Sequence, residues 1–142
     1  MVASVSRSTS GSHVSALVVD TSSWIAYFAG GGSPLVDEAL SEGRLYLPVV
    51  VAAELLSGRL TEPERRDLED LLSDLPALGG DAEHWFRVGR LRSSLLVRGL
   101  SVSTPDAHVA QCAIDLGGTL LTEDGIFARI ADVAPLRLAV PA

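Results

Sequence analysis

The chain has 142 residues, 47 % of them apolar, which is one domain's length and enough to bury a core without disulfides. Its single cysteine, Cys112, has no bridging partner and cannot build a Cys-rich zinc cage. The charged residues are 18 acids and 11 arginines, with no lysine, which excludes a Walker P-loop and Schiff-base chemistry. The net charge of −7 argues against nucleic acid covering the whole surface, but leaves room for a local arginine patch or a metal bridging to phosphate.

Residues 1–15 are rich in serine, lack aromatic residues and lack the apolar segment of a secretory signal. They read as a disordered leader ahead of one domain over 16–142. From there strands and helices alternate. The apolar run 16–19 suits a strand buried on both faces of a parallel sheet, and it stops at Asp20. Trp24, Ile25, Tyr27 and Phe28 follow at helical spacing, closed by glycines 30–32. A short helix is expected over 34–42 and a strand over 45–47. Pro48 is read as the first residue of a helix through Leu56, with Gly58 as its stop.

Thr61 and Glu64 have the spacing of a capping box, opening a helix that carries Leu68, Leu71, Leu72 and Leu75 on one side. Residues 76–79 suit an edge strand. Asp81 is expected to cap a long helix through Arg98. Thr104 is expected to cap another, with Pro105 first in it and glycines 117 and 118 at its end. A strand over 119–122, a short helix over 125–130 and a strand over 136–140 complete the chain. The alternation predicts an α/β fold with a mostly parallel sheet. No apolar run reaches the roughly 18 residues of a membrane span, and the expected location is the cytoplasm.

Ligands of open α/β sheets sit beyond the carboxyl ends of the strands. Asp20 ends the first strand, and Asp124 lies just past the strand over 119–122. Glu54 occurs within an almost wholly apolar helix, and Asp106 falls in a helix's first turn, where the dipole favours a carboxylate. Each acid alone also fits an ordinary turn, cap or surface role. Converging, they would repel by roughly 4 kcal/mol per pair at about 4 Å and an effective dielectric of 20, so a shared pocket would demand a cation. Oxygen donors without sulfur select Mg2+ or Mn2+ over zinc, and Mg2+ favours sites that include a substrate phosphate. Phosphodiester chemistry follows, with the ion lowering the pKa of a water and stabilising the leaving oxygen.

The segments DTSSWIAYF at 20–28, VAAELLSG at 51–58, STPDAHVAQCAIDLGGTLLTEDGIF at 103–127 and the closing LRLAV strand resemble the PIN-domain family. More narrowly, the chain is similar to VapC-type toxins of bacterial toxin–antitoxin pairs, over about residues 16–140. The resemblance implies a three-layer α/β/α fold with a five-stranded sheet and a Mg2+- or Mn2+-dependent endoribonuclease. Asp20, Glu54, Asp106 and Asp124 match the family's acids, and Thr122 and Phe127 complete the fourth motif. Thr21, Ser22 and Thr122 are its supporting hydroxyls. The fourth motif departs from the usual pair of acids, and Glu123 is an alternative to Asp124. The resemblance also implies products with a 5′-phosphate and a 3′-hydroxyl, an antitoxin partner encoded nearby, and a homodimer.

Arg87, Arg90 and Arg98, with Arg92 beside them, read either as a phosphate-guiding patch or as a solvated helix face. His108 is expected to point away from Asp106, His84 to lie at the surface, and His13 to fall in the leader. Cys112 is expected to be a small buried apolar group, and Trp24, Tyr27 and Phe28 to be core, with part of that cluster available to an interface. A phosphoacceptor receiver domain is excluded by the missing lysine, and a dehalogenase-type phosphatase by Ser22 where a second aspartate is needed. Two readings stay open beside the toxin: an RNA-processing PIN nuclease, and a catalytically silent PIN-fold binding module.

Overall fold

A computed structural model describes residues 15–140. The expected leader, apart from Ser15, and His13 within it lie outside the described residues. Five parallel strands form one sheet in the order β3-β2-β1-β4-β5, flanked by helices. The strands are β1 (Leu17–Val19), β2 (Leu45–Pro48), β3 (Ala77–Leu78), β4 (Thr119–Leu121) and β5 (Arg137–Leu138). The first strand in the chain is therefore the central one, and Leu17, Val18 and Val19 are all fully buried. The unbroken apolar run predicted the burial on both faces, and the strand order adds that β1 is central.

The helices are α1 (Thr21–Ala26), α2 (Pro34–Ser41), α3 (Val49–Leu56), α4 (Glu62–Ser73), α5 (Ala82–Val97), α6 (Thr104–Leu116) and α7 (Ile126–Ala131). The expected helix through Phe28 instead ends at Ala26 and widens into a π-turn over Tyr27–Gly31, with Gly30 at φ 96°. Trp24 is the core residue of that aromatic group; Tyr27 is half-buried and Phe28 is exposed. Pro48 is not the first helical residue. It closes β2 and stands as N-cap of α3, its ψ of 134° still extended. Ser103, not Thr104, caps α6: its Oγ accepts from the Asp106 amide at 3.2 Å, which moves Thr104 into the helix. The Thr61–Glu64 capping box forms as read, with both reciprocal bonds present. Asp81 is at the N-cap of α5, but its side chain makes no capping bond.

The core joins Trp24 of α1, Val51 of α3, Leu95 of α5, and Phe127 and Ile130 of α7 to the strands. Each such side chain stabilises by roughly 1.5–3 kcal/mol on burial. Gly118 lets the start of β4 approach β1, since a Cβ there would stand 2.5 Å from the Ala16 carbonyl oxygen. No helix among the described residues is long and apolar enough to cross a membrane.

Candidate active site

The pairing of Val19 with Leu121 leaves Asp20 and Thr122 side by side where β1 and β4 end. Asp20 is 6 % exposed, a burial a carboxylate tolerates only if its oxygens are bonded. Both are. Oδ2 accepts from Thr122 Oγ1 at 2.7 Å. Oδ1 accepts from Ser22 Oγ at 2.7 Å and from the Ser23 amide at 3.2 Å, which also caps α1.

The two hydroxyls extend the network across the strand ends. Thr122 Oγ1 accepts from the Asp124 amide at 2.9 Å, and Ser22 Oγ accepts from the Glu123 amide at 3.0 Å. Asp124 Oδ1 accepts from the Ile126 amide at the start of α7. On the other side α3 packs against α1, and Thr21 Oγ1 donates to Glu54 Oε1 at 2.5 Å. Consecutive hydroxyls, Thr21 and Ser22, thus hold two different carboxylates.

Asp106, half-buried in the first turn of α6, completes the group. Burial raises its carboxyl pKa above the usual aspartate value; the hydrogen bond from Ser103 opposes this, and the charges of Asp124, Asp20 and Glu54 add to the rise. Asp106 is therefore close enough to the other three acids predicted from sequence to feel their charge. Among the described residues no arginine or histidine bridges to any of them; their partners are hydroxyls and backbone amides. Four oxygen-donor acids with no balancing cation fit a hard divalent ion such as Mg2+ or Mn2+.

Two open points take definite form. Glu54 is exposed: Val51 and Leu55 of the same helix face the core, while Glu54 faces Thr21. Of the two candidates in the fourth motif, Asp124 acts electrostatically on Asp106, whereas Glu123 contributes its amide to Ser22. Arg87 is paired with Asp115 at 2.9 Å, nine residues and about 13 Å along α6 from Asp106. Arg92 donates to the Val102 carbonyl, and Arg90 and Arg98 are exposed.

His84 contradicts its surface assignment. It is 3 % exposed and its Nε2 lies 2.6 Å from Nδ1 of His108, which is itself fully buried. His108 points away from Asp106, as expected: its Nε2 accepts from the Val50 amide in the first turn of α3 at 3.3 Å. Trp85 stacks on the His108 ring at 4.6 Å. Cys112, buried as expected, lies beside both rings. Burial pushes the Cys112 thiol up to about 12. It lowers His108 to about 4, helped by His84, and it lowers His84 against the opposing charge of Asp115. Sequence spacing placed His108 and Cys112 one turn apart on α6, but nothing in it brought His84 to them.

Acids at the carboxyl edge of a five-stranded parallel sheet, tied by hydroxyls that follow the first and fourth strands, define an α/β domain with its candidate site at the strand ends. The chain belongs to the PIN-domain family, whose description it matches over residues 17–133. It is 32 % identical over 130 residues to VapC ribonuclease Mb1587 of Mycobacterium bovis, covering 87 % of this chain and 97 % of that one. In fold it is similar to VapBC from Salmonella typhimurium, solved bound to DNA (TM-score 0.72, 23 % identity, 89 % and 98 % covered). It is also similar to VapBC-5 from Mycobacterium tuberculosis, of the VapBC family of toxin–antitoxin systems (TM-score 0.60, 28 % identity, 87 % and 97 % covered).

Proposed function

We propose that this protein is a metal-dependent endoribonuclease and the toxin of a toxin–antitoxin pair, acting in the cytoplasm on RNA phosphodiesters. One observation carries the reading: Asp106 feels the charges of Asp20, Glu54 and Asp124, and among the described residues none of the four acids is paired with an arginine or histidine. The naming of the 32 % identical relative as a ribonuclease supports the choice of substrate.

In this reading Asp20, Glu54, Asp106 and Asp124 hold Mg2+ or Mn2+. The bound ion supplies positive charge to the scissile phosphate and a lowered pKa to an attacking water. The chain's own residues do the positioning. Thr122 and Ser22 fix both oxygens of Asp20 with their hydroxyl protons; the Ser23 amide takes the second lone pair of Oδ1, so Oδ2 is the oxygen with one to spare. Thr21 holds Glu54 against α1. Burial raises the pKa of Asp106, so a cation nearby would favour its ionised form. The products carry a 5′-phosphate and a 3′-hydroxyl.

The partner is a small antitoxin, as the VapBC complexes among the structural relatives support. Its seat is an apolar groove of about 370 Å³ lined by Phe28, Leu60, Leu68 and Leu71, with Glu64 and Asp67 on the rim. An apolar segment carrying basic residues complements that lining. A homodimer would use the outward apolar side chains of α5, Phe86 and Val97, which lie three turns apart on one face.

The test is cleavage of total RNA by the purified chain with Mg2+ or Mn2+, beside Asp106→Asn and an EDTA control, with 5′ ends mapped by sequencing. Metal-dependent cuts that vanish in the variant are expected, and the map names the target. Absence of cuts from folded, antitoxin-free protein with either ion would overturn the nuclease reading in favour of a binding module.

A further inference from the structure

Away from the carboxylates, three donors of a different chemical character converge inside the protein. His84 Nε2, His108 Nδ1 and Cys112 Sγ all lie within 4.8 Å of one another, and all three residues are buried. The nitrogens are 2.6 Å apart, and the sulfur is 3.9 Å from His108 and 4.0 Å from His84. A tetrahedral zinc ion, with bonds of about 2.0–2.1 Å to nitrogen and 2.3 Å to sulfur, sets such atoms about 3.3–3.5 Å apart. One pair would open by under about 1 Å and two would close by about 0.5 Å, which side-chain torsions supply.

We propose that His84, His108 and Cys112 form a second, thiophilic metal site that takes Zn2+ or a similar borderline ion. Three further features fit it. The other ring nitrogen of His84 faces the Asp115 carboxylate at 4.0 Å, about 1 Å beyond the hydrogen bond that orients metal-ligating histidines. Arg87 and Gln111 hold that carboxylate in turn, at 2.9 Å and 2.8 Å. A cavity of about 180 Å³, walled by Gly79, His84, Cys112 and Asp115, gives an ion a way in and room for a water as fourth ligand.

The His108 ring is built into place. Trp85 stacks on it, and a Cβ at Gly79 would come 2.4 Å from its Cε1. Without metal the ring's Nε2 accepts from the Val50 amide, so its proton sits on Nδ1 and is donated to His84. Loading requires that proton to move to Nε2 through solvent, ending the 3.3 Å bond to Val50. The Cys112 thiol proton is released to water, giving a bound thiolate. Three metal–ligand bonds thus replace one hydrogen bond between the rings and one long bond from an amide. The site differs from the carboxylate cluster in donor type, since imidazole and thiolate select zinc where carboxylates select Mg2+ or Mn2+.

Cobalt distinguishes the two sites, because only a thiolate gives a near-ultraviolet charge-transfer band with Co2+ and the chain has one cysteine. The full chain, stripped with a chelator, is titrated with Co2+. The expected result is such a band, saturating at stoichiometric ion and displaced by Zn2+. It should persist in Asp106→Asn, disappear in Cys112→Ser, and require about tenfold more Co2+ in Asp115→Asn. Circular dichroism checks that each variant is folded, and Cys112→Ala stands in if the serine variant is not. A folded parent chain without the band overturns the proposal, as does a band that survives in a folded His84→Asn at unchanged affinity. Neither outcome bears on RNA cleavage.

Discussion

Thr21 donates a 2.5 Å hydrogen bond to Glu54, 33 residues away, and so ties the helix that follows the central strand to the helix that follows its neighbour. The next residue, Ser22, gives its proton to Asp20. Two adjacent hydroxyls therefore set the spacing between two carboxylates on different elements.

Replacing Thr21 by Val keeps the side chain's shape and deletes that bond. Mn2+ affinity, measured by calorimetry, should fall by about tenfold or more. Stability should fall only by about 0.5–1.5 kcal/mol, the net worth of one hydrogen bond. Unchanged Mn2+ affinity would show that Thr21 has no part in arranging the carboxylates.

Asp106→Asn should abolish cleavage and, in the absence of divalent ions, raise Tm at neutral pH. The sign follows from the raised pKa of this acid. Its ionised form is disfavoured in the folded chain, so the protein loses stability as pH rises through the folded pKa. Asparagine removes that penalty. The gain should vanish at a pH low enough to protonate Asp106 in both folded and unfolded chains. A thermal melt series with pH reads the difference; equal melting temperatures throughout would show that ionised Asp106 carries no such penalty in the folded chain.

Asp124 and Glu123 are separated by a paired test. Asp124→Asn should abolish metal-dependent cleavage, while Glu123→Gln should leave it unchanged, because Glu123 engages Ser22 through its amide rather than its side chain. The reverse result would move the fourth ligand to Glu123.

Gly79→Ala should destabilise by roughly 2–3 kcal/mol. Its φ of 94° is strained for any L side chain, and the added methyl meets the His108 ring. For a chain this size each 1 kcal/mol is worth about 3–5 °C in Tm, which calorimetry resolves. A melting temperature within a degree of the parent's would mean that the ring moves aside freely.

The order of the elements and the burial of the first strand on both faces were legible in the sequence, and so was the placing of acids beyond the strand ends. Apolar runs, caps and acids at strand ends are local signals, and the fold preserves them. What was illegible depended on distant partners. His84 looks like any polar residue near the start of a helix; its burial is decided by His108, 24 residues later. Glu54 stands in an apolar stretch that left a surface position and a site carboxylate both open, and helical geometry turns it outward to Thr21. Ser103 and Thr104 are both capping residues by type, and only the path of the backbone decides which Oγ reaches the Asp106 amide. Pro48 suits either the first position of a helix or the end of a strand, and its pairing with Leu78 settles it.

The contact between Asp20 and Thr122 spans 102 residues, and β1 gains its second neighbour only when β4 is made. During synthesis the first strand must wait, half-covered, until the fourth emerges about a hundred residues later. A chain interrupted before Thr122 lacks the fourth strand's hydroxyl, Asp124 and the far wall of the sheet together. The carboxylates can then come together only late in folding, and a fragment released early from the ribosome would be unable to cut.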